Sequence, residues 1–219
     1  PANDARAMAA ALRDCGFKVS EEIDCSRREM LAAIRAFGRQ LRQGGVGLFY
    51  YAGHGLQVKG QNYLVPVDAE VRFEDEVADW CVEASSVLRK MESAGNRVNI
   101  VVMDACRNNP FARSFRSSTR GLARMDAPKG SFLAYATAPG SVASDGTDSN
   151  GLYTAALLEA IRLPGLKIEE VFKRVRTDVL AATSEVQIPW ESSSLTGDFY
   201  FVLADPQATV APAAVAPAP

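Results

Sequence analysis

Apolar positions along this chain alternate between helical spacing and nearly unbroken short runs, and that alternation predicts most of the architecture. Ala7, Met8, Ala11 and Leu12 share one helical face; Asn3 or Asp4 precedes them as a cap and Gly16 follows as a terminator, predicting a helix to about Asp14. Residues 18–23 predict a short strand. Ser26 and Glu29 form a capping box ahead of Met30, Ile34, Phe37 and Leu41, so a second amphipathic helix runs to Gly44-Gly45. The run 46–52 (VGLFYYA) predicts a strand covered on both faces, closed by Gly53-His54-Gly55. A small hairpin around Gly60 fits residues 56–67, and a helix fits 84–94 with Val87, Leu88 and Met91 on one face. Residues 98–103 (VNIVVM) give a second buried strand and 131–136 a third; helices follow over about 152–162 and 168–183, and 199–203 predicts a last strand.

Strands interleaved with helices point to an α/β fold, a three-layer αβα sandwich around a mostly parallel sheet of about six strands. One domain over residues 1–204 accounts for the pattern, and 205–219 (DPQATVAPAAVAPAP) reads as an Ala/Pro-rich linker that implies further domains beyond it. The chain opens at Pro1 without Met, as expected of a fragment or a processed product.

Composition narrows the function classes. Of 219 residues, 24 are basic and 26 acidic, so no global field draws the chain to nucleic acid or an anionic membrane. No apolar stretch is long enough to span a bilayer, which suits a soluble protein of the cytoplasm or periplasm. Cys15, Cys25, Cys81 and Cys106 contain no CxxC pair, and six extended residues between Cys15 and Cys25 hold those two too far apart for a disulfide. Local charge is more informative. Residues 68–83 carry seven acids against Arg72, whereas 107–129 carry Arg107, Arg113, Arg116, Arg120, Arg124 and Lys129 against Asp126.

The sole histidine, His54, and Cys106 each follow a buried strand at what would be the carboxyl edge of the sheet, where sites of open α/β folds gather. An imidazole can assist thiolate formation and protonate a leaving amine, and a thiolate attacks carbonyl carbon, so the pair is a candidate catalytic dyad. The glycines beside His54 admit a substrate backbone, and the Gly55 and Cys106 amides are the candidate oxyanion donors.

Tyr51-Ala52-Gly53-His54-Gly55 and Asp104-Ala105-Cys106-Arg107, with 52 residues from the His to the Cys, resemble the caspase and metacaspase cysteine peptidases. Asn62-Tyr63-Leu64-Val65-Pro66-Val67-Asp68 and Ala136-Thr137-Ala138-Pro139-Gly140 are most similar to bacterial metacaspase-like proteins. Asp104 and Asn108 depart from the Gln and Gly of the caspase signature.

The resemblance implies a cysteine endopeptidase whose substrates are peptides or proteins with a basic P1 residue, cleaved after Arg or Lys. It places Asp4 and Asp104 in an anionic P1 pocket, with Ser144 and Asp145 along the substrate groove. It implies self-processing at Arg113, Arg116, Arg120 or Arg124 in the basic loop. It also implies a first strand, ahead of Asn3-Asp4-Ala5, that this chain lacks, leaving a gap beside the catalytic strands. Many metacaspases use calcium, and Asp68, Asp79, Glu74, Asp75 and Glu76 lie in the corresponding region, but Trp80 breaks the paired-Asp pattern. No cofactor is required on this reading. The alternative is a non-catalytic interaction module within a larger signalling protein.

Overall fold

The computed structural model describes residues 1–106, 121–138 and 150–204, with Cys106 described through its backbone alone. A six-stranded sheet in the order β3-β2-β1-β4-β5-β6 forms the centre. Its strands are β1 (Val46–Val58), β2 (Gln61–Leu64), β3 (Val82–Glu83), β4 (Val98–Cys106), β5 (Ser131–Tyr135) and β6 (Trp190–Ser193). β1, β4 and β5 run parallel, while β2, β3 and β6 extend the two flanks antiparallel.

The apolar runs of the parallel strands follow from cover on both faces. Alternate β4 residues Ile100 and Val102 face α1 (Ala2–Asp14), α5 (Leu152–Ala160) and α6 (Ile168–Ala182), meeting Met8, Leu157 and Val175. Val101 and Met103 face the other way, toward Met30 and Ile34 of α2 (Arg27–Leu41) and Val87 and Met91 of α4 (Ser85–Ala94). A smaller apolar cluster of Leu56, Val71, Val77 and Cys81 lies under the β1–β2 hairpin, beside the short helix α3 (Val77–Trp80).

Helix signals in the sequence match the structure closely. Ser26 caps α2 in a reciprocal box with Glu29, and Gly16 (φ +84°) follows α1 in the left-handed conformation that its glycine permits. The α1 cap differs from expectation. The helix already begins at Ala2, so Asn3 and Asp4 lie inside its first turn, and the Asp4 carboxylate is turned toward a distant loop.

Strand expectations need three corrections. β1 does not end at Gly53-His54-Gly55; it passes through them, exchanges its parallel partner β4 for antiparallel β2 at Gly55, and turns back at Lys59-Gly60. Both turn residues have positive φ (49° and 81°), as a tight two-residue hairpin requires. Residues 18–23 form no strand. Val19 and Ile23 are half-buried, but among the described residues this backbone pairs with no strand; it lines, together with β1, a cavity of about 440 Å³. Finally, residues 199–203 make only one bridge, Tyr200 with Lys167, because Phe199 and Phe201 turn into the core and pack edge to face. The last strand is instead Trp190–Ser193 on β5, a polar edge segment that lacks the apolar run of a buried strand.

The lower half of β1, residues 46–53, is paired on its β4 side alone among the described residues. Leu48, Phe49, Tyr50 and Tyr51 are accordingly half-buried, unlike their counterparts on β4. This open edge faces the cavity.

Asn62 ties the hairpin to the strand-linking segment 121–130. Its side chain is 2% exposed, donates to the Ala123 carbonyl at 2.7 Å and accepts from the Ala123 amide at 2.6 Å. Replacing Asn62 with Ala strands both backbone groups, and we expect a loss of about 2 kcal/mol in urea unfolding; a change below about 0.5 kcal/mol would show that the pair is energetically idle.

Candidate active site

The site is built at the carboxyl ends of β1 and β4. Their parallel register pairs Tyr51 with Met103, Ala52 with Asp104, Gly53 with Ala105 and His54 with Cys106. Neighbouring strands lie about 4.8 Å apart, so the backbones of His54 and Cys106 occupy the same rung. His54 is exposed at the rim, while Gly55 and Ala105 beside it are buried.

The backbone of His54 is held from two sides. Its carbonyl accepts the Val65 amide at 3.0 Å and the Tyr51 hydroxyl at 2.8 Å. Burial pushes the Tyr51 phenol well up from its ordinary range, so it remains a donor. Gly53 makes room for this contact, since a Cβ there would stand 2.7 Å from the Tyr51 hydroxyl oxygen. Gly55 is crowded as well: a Cβ would meet those of Ala105 at 3.0 Å and Leu122 Cδ2 at 3.1 Å. The glycines of this motif thus serve packing beneath the rim.

Asp4 and Asp104, predicted from opposite halves of the chain's first 110 residues, converge across Gly151. The position a Gly151 Cβ would take lies 3.8 Å from Asp4 Oδ2 and 3.9 Å from Asp104 Oδ2. Asp4 Oδ1 accepts the Gly151 amide at 2.8 Å and Asn150 Nδ2 at 3.0 Å. Asp104 Oδ2 accepts Thr154 Oγ1 at 2.5 Å. Burial raises the Asp104 carboxyl to about 6, with a further push from Asp4 and an opposing pull from the Thr154 bond. The two carboxylates thus face one small residue in an acidic recess, where Asp4 Oδ2 also pairs with the Pro1 amino group at 3.1 Å. Sequence reasoning missed Tyr50, Tyr51, Asn150, Gly151 and Thr154, whose parts depend on contacts made across the fold.

Other expected residues lie elsewhere. Asp68 accepts the Arg27 amide at 2.8 Å at the start of α2, and Glu76 accepts the amides of Arg72 and Phe73. Among the described residues, no three His, Cys, Asp or Glu side chains converge as metal ligands. Arg124 is exposed, its guanidinium 5.9 Å from the centre of the Trp190 ring. Arg113, Arg116, Arg120, Ser144 and Asp145 lie outside the described residues. Cys15, Cys25 and Cys81 are free thiols, and burial raises all three above the ordinary thiol range. Among the described residues, no helix is long and apolar enough to cross a membrane.

Residues 1–200 match the Caspase domain family. Mucosa-associated lymphoid tissue lymphoma translocation protein 1 is 34% identical over 107 residues in both its human form and its mouse homolog, covering 49% of this chain and 13% and 12% of theirs. A probable protease of a Desulfuromonadales bacterium is 29% identical over 145 residues, covering 61% of this chain and 17% of its own. The chain therefore spans less than a fifth of the length of these relatives. With that match running from α1 through the β1 and β4 rim to the loop after β6, the chain belongs to the caspase-domain family of peptidases.

Proposed function

We propose that this domain is a cysteine endopeptidase that cleaves after Arg or Lys, with Cys106 as nucleophile and His54 as acid and base. The shared rung of His54 and Cys106 is the observation that carries the reading, because a dyad needs its two residues within reach of one carbonyl. The Cys106 thiolate adds to the P1 carbonyl carbon, and the Gly55 and Cys106 amides receive the developing oxyanion. His54 gives its proton to the departing amine as the C–N bond breaks, then takes one from the water that hydrolyses the thioester. The P1 cation sits against Asp4 and Asp104, where a guanidinium can share its donors between two carboxylates.

The probable protease from the Desulfuromonadales bacterium supports a proteolytic role. Convergence of Asp4 and Asp104 at Gly151 supports a basic P1 residue over an acidic one. Arg113, Arg116, Arg120 and Arg124 are then the self-processing sites, in a basic stretch matching the enzyme's own preference.

Fluorogenic peptides varied at P1 test the reading. We expect hydrolysis of Arg and Lys peptides, no hydrolysis of Asp peptides, and a loss of about a thousandfold or more in kcat for Cys106→Ala and for His54→Ala. Preference for Asp at P1 contradicts the pocket, and full activity in either variant contradicts the dyad. Asp104→Asn should raise KM for Arg peptides about tenfold or more, with a smaller change in kcat. Gly53→Ala displaces the Tyr51 hydroxyl from the His54 carbonyl; kcat should fall about tenfold while KM stays within a factor of two. Intact-mass analysis of purified chains should find cuts after one of the four arginines in wild type and none in Cys106→Ala. Equal cleavage in both removes self-processing.

A further inference from the structure

Tyr50 and Tyr51 are adjacent on β1 and so point to opposite faces of the sheet. Tyr51 reaches the His54 carbonyl. Tyr50 reaches the other layer, where its hydroxyl lies 2.5 Å from Thr154 Oγ1. Thr154, fully buried on α5, donates to Asp104 Oδ2 at 2.5 Å, and Tyr50 makes a longer bond of 3.5 Å to the same oxygen.

Each hydroxyl carries one proton, which sets the direction of the chain. With Asp104 ionised, the Thr154 proton goes to the carboxylate, so the short contact from Tyr50 is a donation to Thr154, and the longer Tyr50 contact with Asp104 Oδ2 shares that same proton. Burial raises the Tyr50 phenol far above its ordinary range, and it stays protonated as this chain requires. Both hydroxyls therefore act on one oxygen of one acid. The periodicity of β1 and α5 explains Tyr50 and Thr154 as packing residues, but packing alone accounts for neither hydroxyl.

We propose that Thr154 and Tyr50 are positioning residues for substrate selection: in series, their hydroxyls hold Asp104 by Oδ2 and so fix the carboxylate that meets the P1 cation. This deepens the proposed function and rests on Asp104 taking that cation. A carboxylate so anchored cannot swing toward Asn150 or the Gly151 amide, which already serve Asp4. The two acids thus keep separate partners.

The relay also sets the lower pH limit of cation binding. The groups facing Asp104 are Asp4 from α1, Tyr50 from β1, and Tyr153 and Thr154 from α5, with the amino group of Pro1 nearby and Arg176 of α6 acting on Tyr153. Burial and Asp4 raise the Asp104 carboxyl, to about 6, against the Thr154 and Tyr50 hydrogen bonds and the Pro1 amino group. Below that pH the acid is protonated and cannot pair with a cation. Removing the Thr154 donor removes a stabiliser of the ionised form, so the limit moves to higher pH.

Thr154→Val keeps the shape and deletes the hydroxyl, and Thr154→Ser restores it. With an Arg-P1 fluorogenic peptide, KM for Thr154→Val should rise about tenfold at pH 7 with kcat within a factor of about three, and the acidic limb of kcat/KM should move up by about one pH unit. Thr154→Ser should lie within about twofold of wild type, and Tyr50→Phe should shift KM and the limb in the same direction as Thr154→Val by less. Alkylation of Cys106 by iodoacetamide, which has no P1 group, should keep its wild-type rate and pH profile in all three variants. A Thr154→Val enzyme with unchanged KM and limb overturns the relay while the wild-type preference for Arg stands. A wild type with no preference for a basic P1 overturns the pocket reading and the relay with it. Equal changes in kcat and alkylation overturn the positioning role in favour of a purely structural one, and Tyr50→Phe gives the same readout if Thr154→Val does not fold.

Discussion

Everything at the rim depends on the hydrogen-bonded register between β1 and β4. Nine consecutive residue pairs, from Val46 with Val98 to His54 with Cys106, fix where each side chain of one strand stands against the other. A slip of one residue would carry the apolar positions to the opposite face and separate His54 from Cys106. That register is enforced from both sides, by Ile100 and Val102 against α1 and α5 and by Val101 and Met103 against α2 and α4. Burial of the strands and alignment of the two site residues are therefore one constraint.

The same alternation divides labour between neighbouring side chains. Tyr50 and Tyr51 differ by one position, and the pleat sends one toward the anionic recess and the other toward the His54 backbone. Asp104, across from Ala52, stands two residues before Cys106, so one strand end carries both the proposed nucleophile and the proposed contact for the residue it attacks. Such economy follows from the geometry of parallel sheets, in which strand ends gather at one rim.

Much of this was legible in the sequence. The buried runs at 46–52 and 98–103 have a composition that only cover on both faces explains, and they placed His54 and Cys106 at the same edge. The capping box at Ser26 and the glycine after α1 were local signals with local causes. The strand at 18–23 was misread because alternation reports which side chains face inward but not whether a backbone partner is present. β6 was missed for the converse reason: Trp190–Ser193 pairs through its backbone at a polar edge and leaves little trace in hydropathy. The convergence of Asp4 and Asp104 rested on resemblance alone, and its supports are distant in sequence: Gly151 lies 147 residues from Asp4 and Thr154 lies 50 residues from Asp104.

The account stands on His54 acting on the Cys106 thiol across one rung of the sheet. The most direct measurement is the rate of Cys106 alkylation by iodoacetamide as a function of pH, followed by peptide mass spectrometry, in wild type and in His54→Ala. The account predicts a fast reaction below pH 7 in wild type that is lost in His54→Ala, where the rate should rise only near the ordinary thiol range of about 8.5. Superimposable profiles in the two proteins would contradict it.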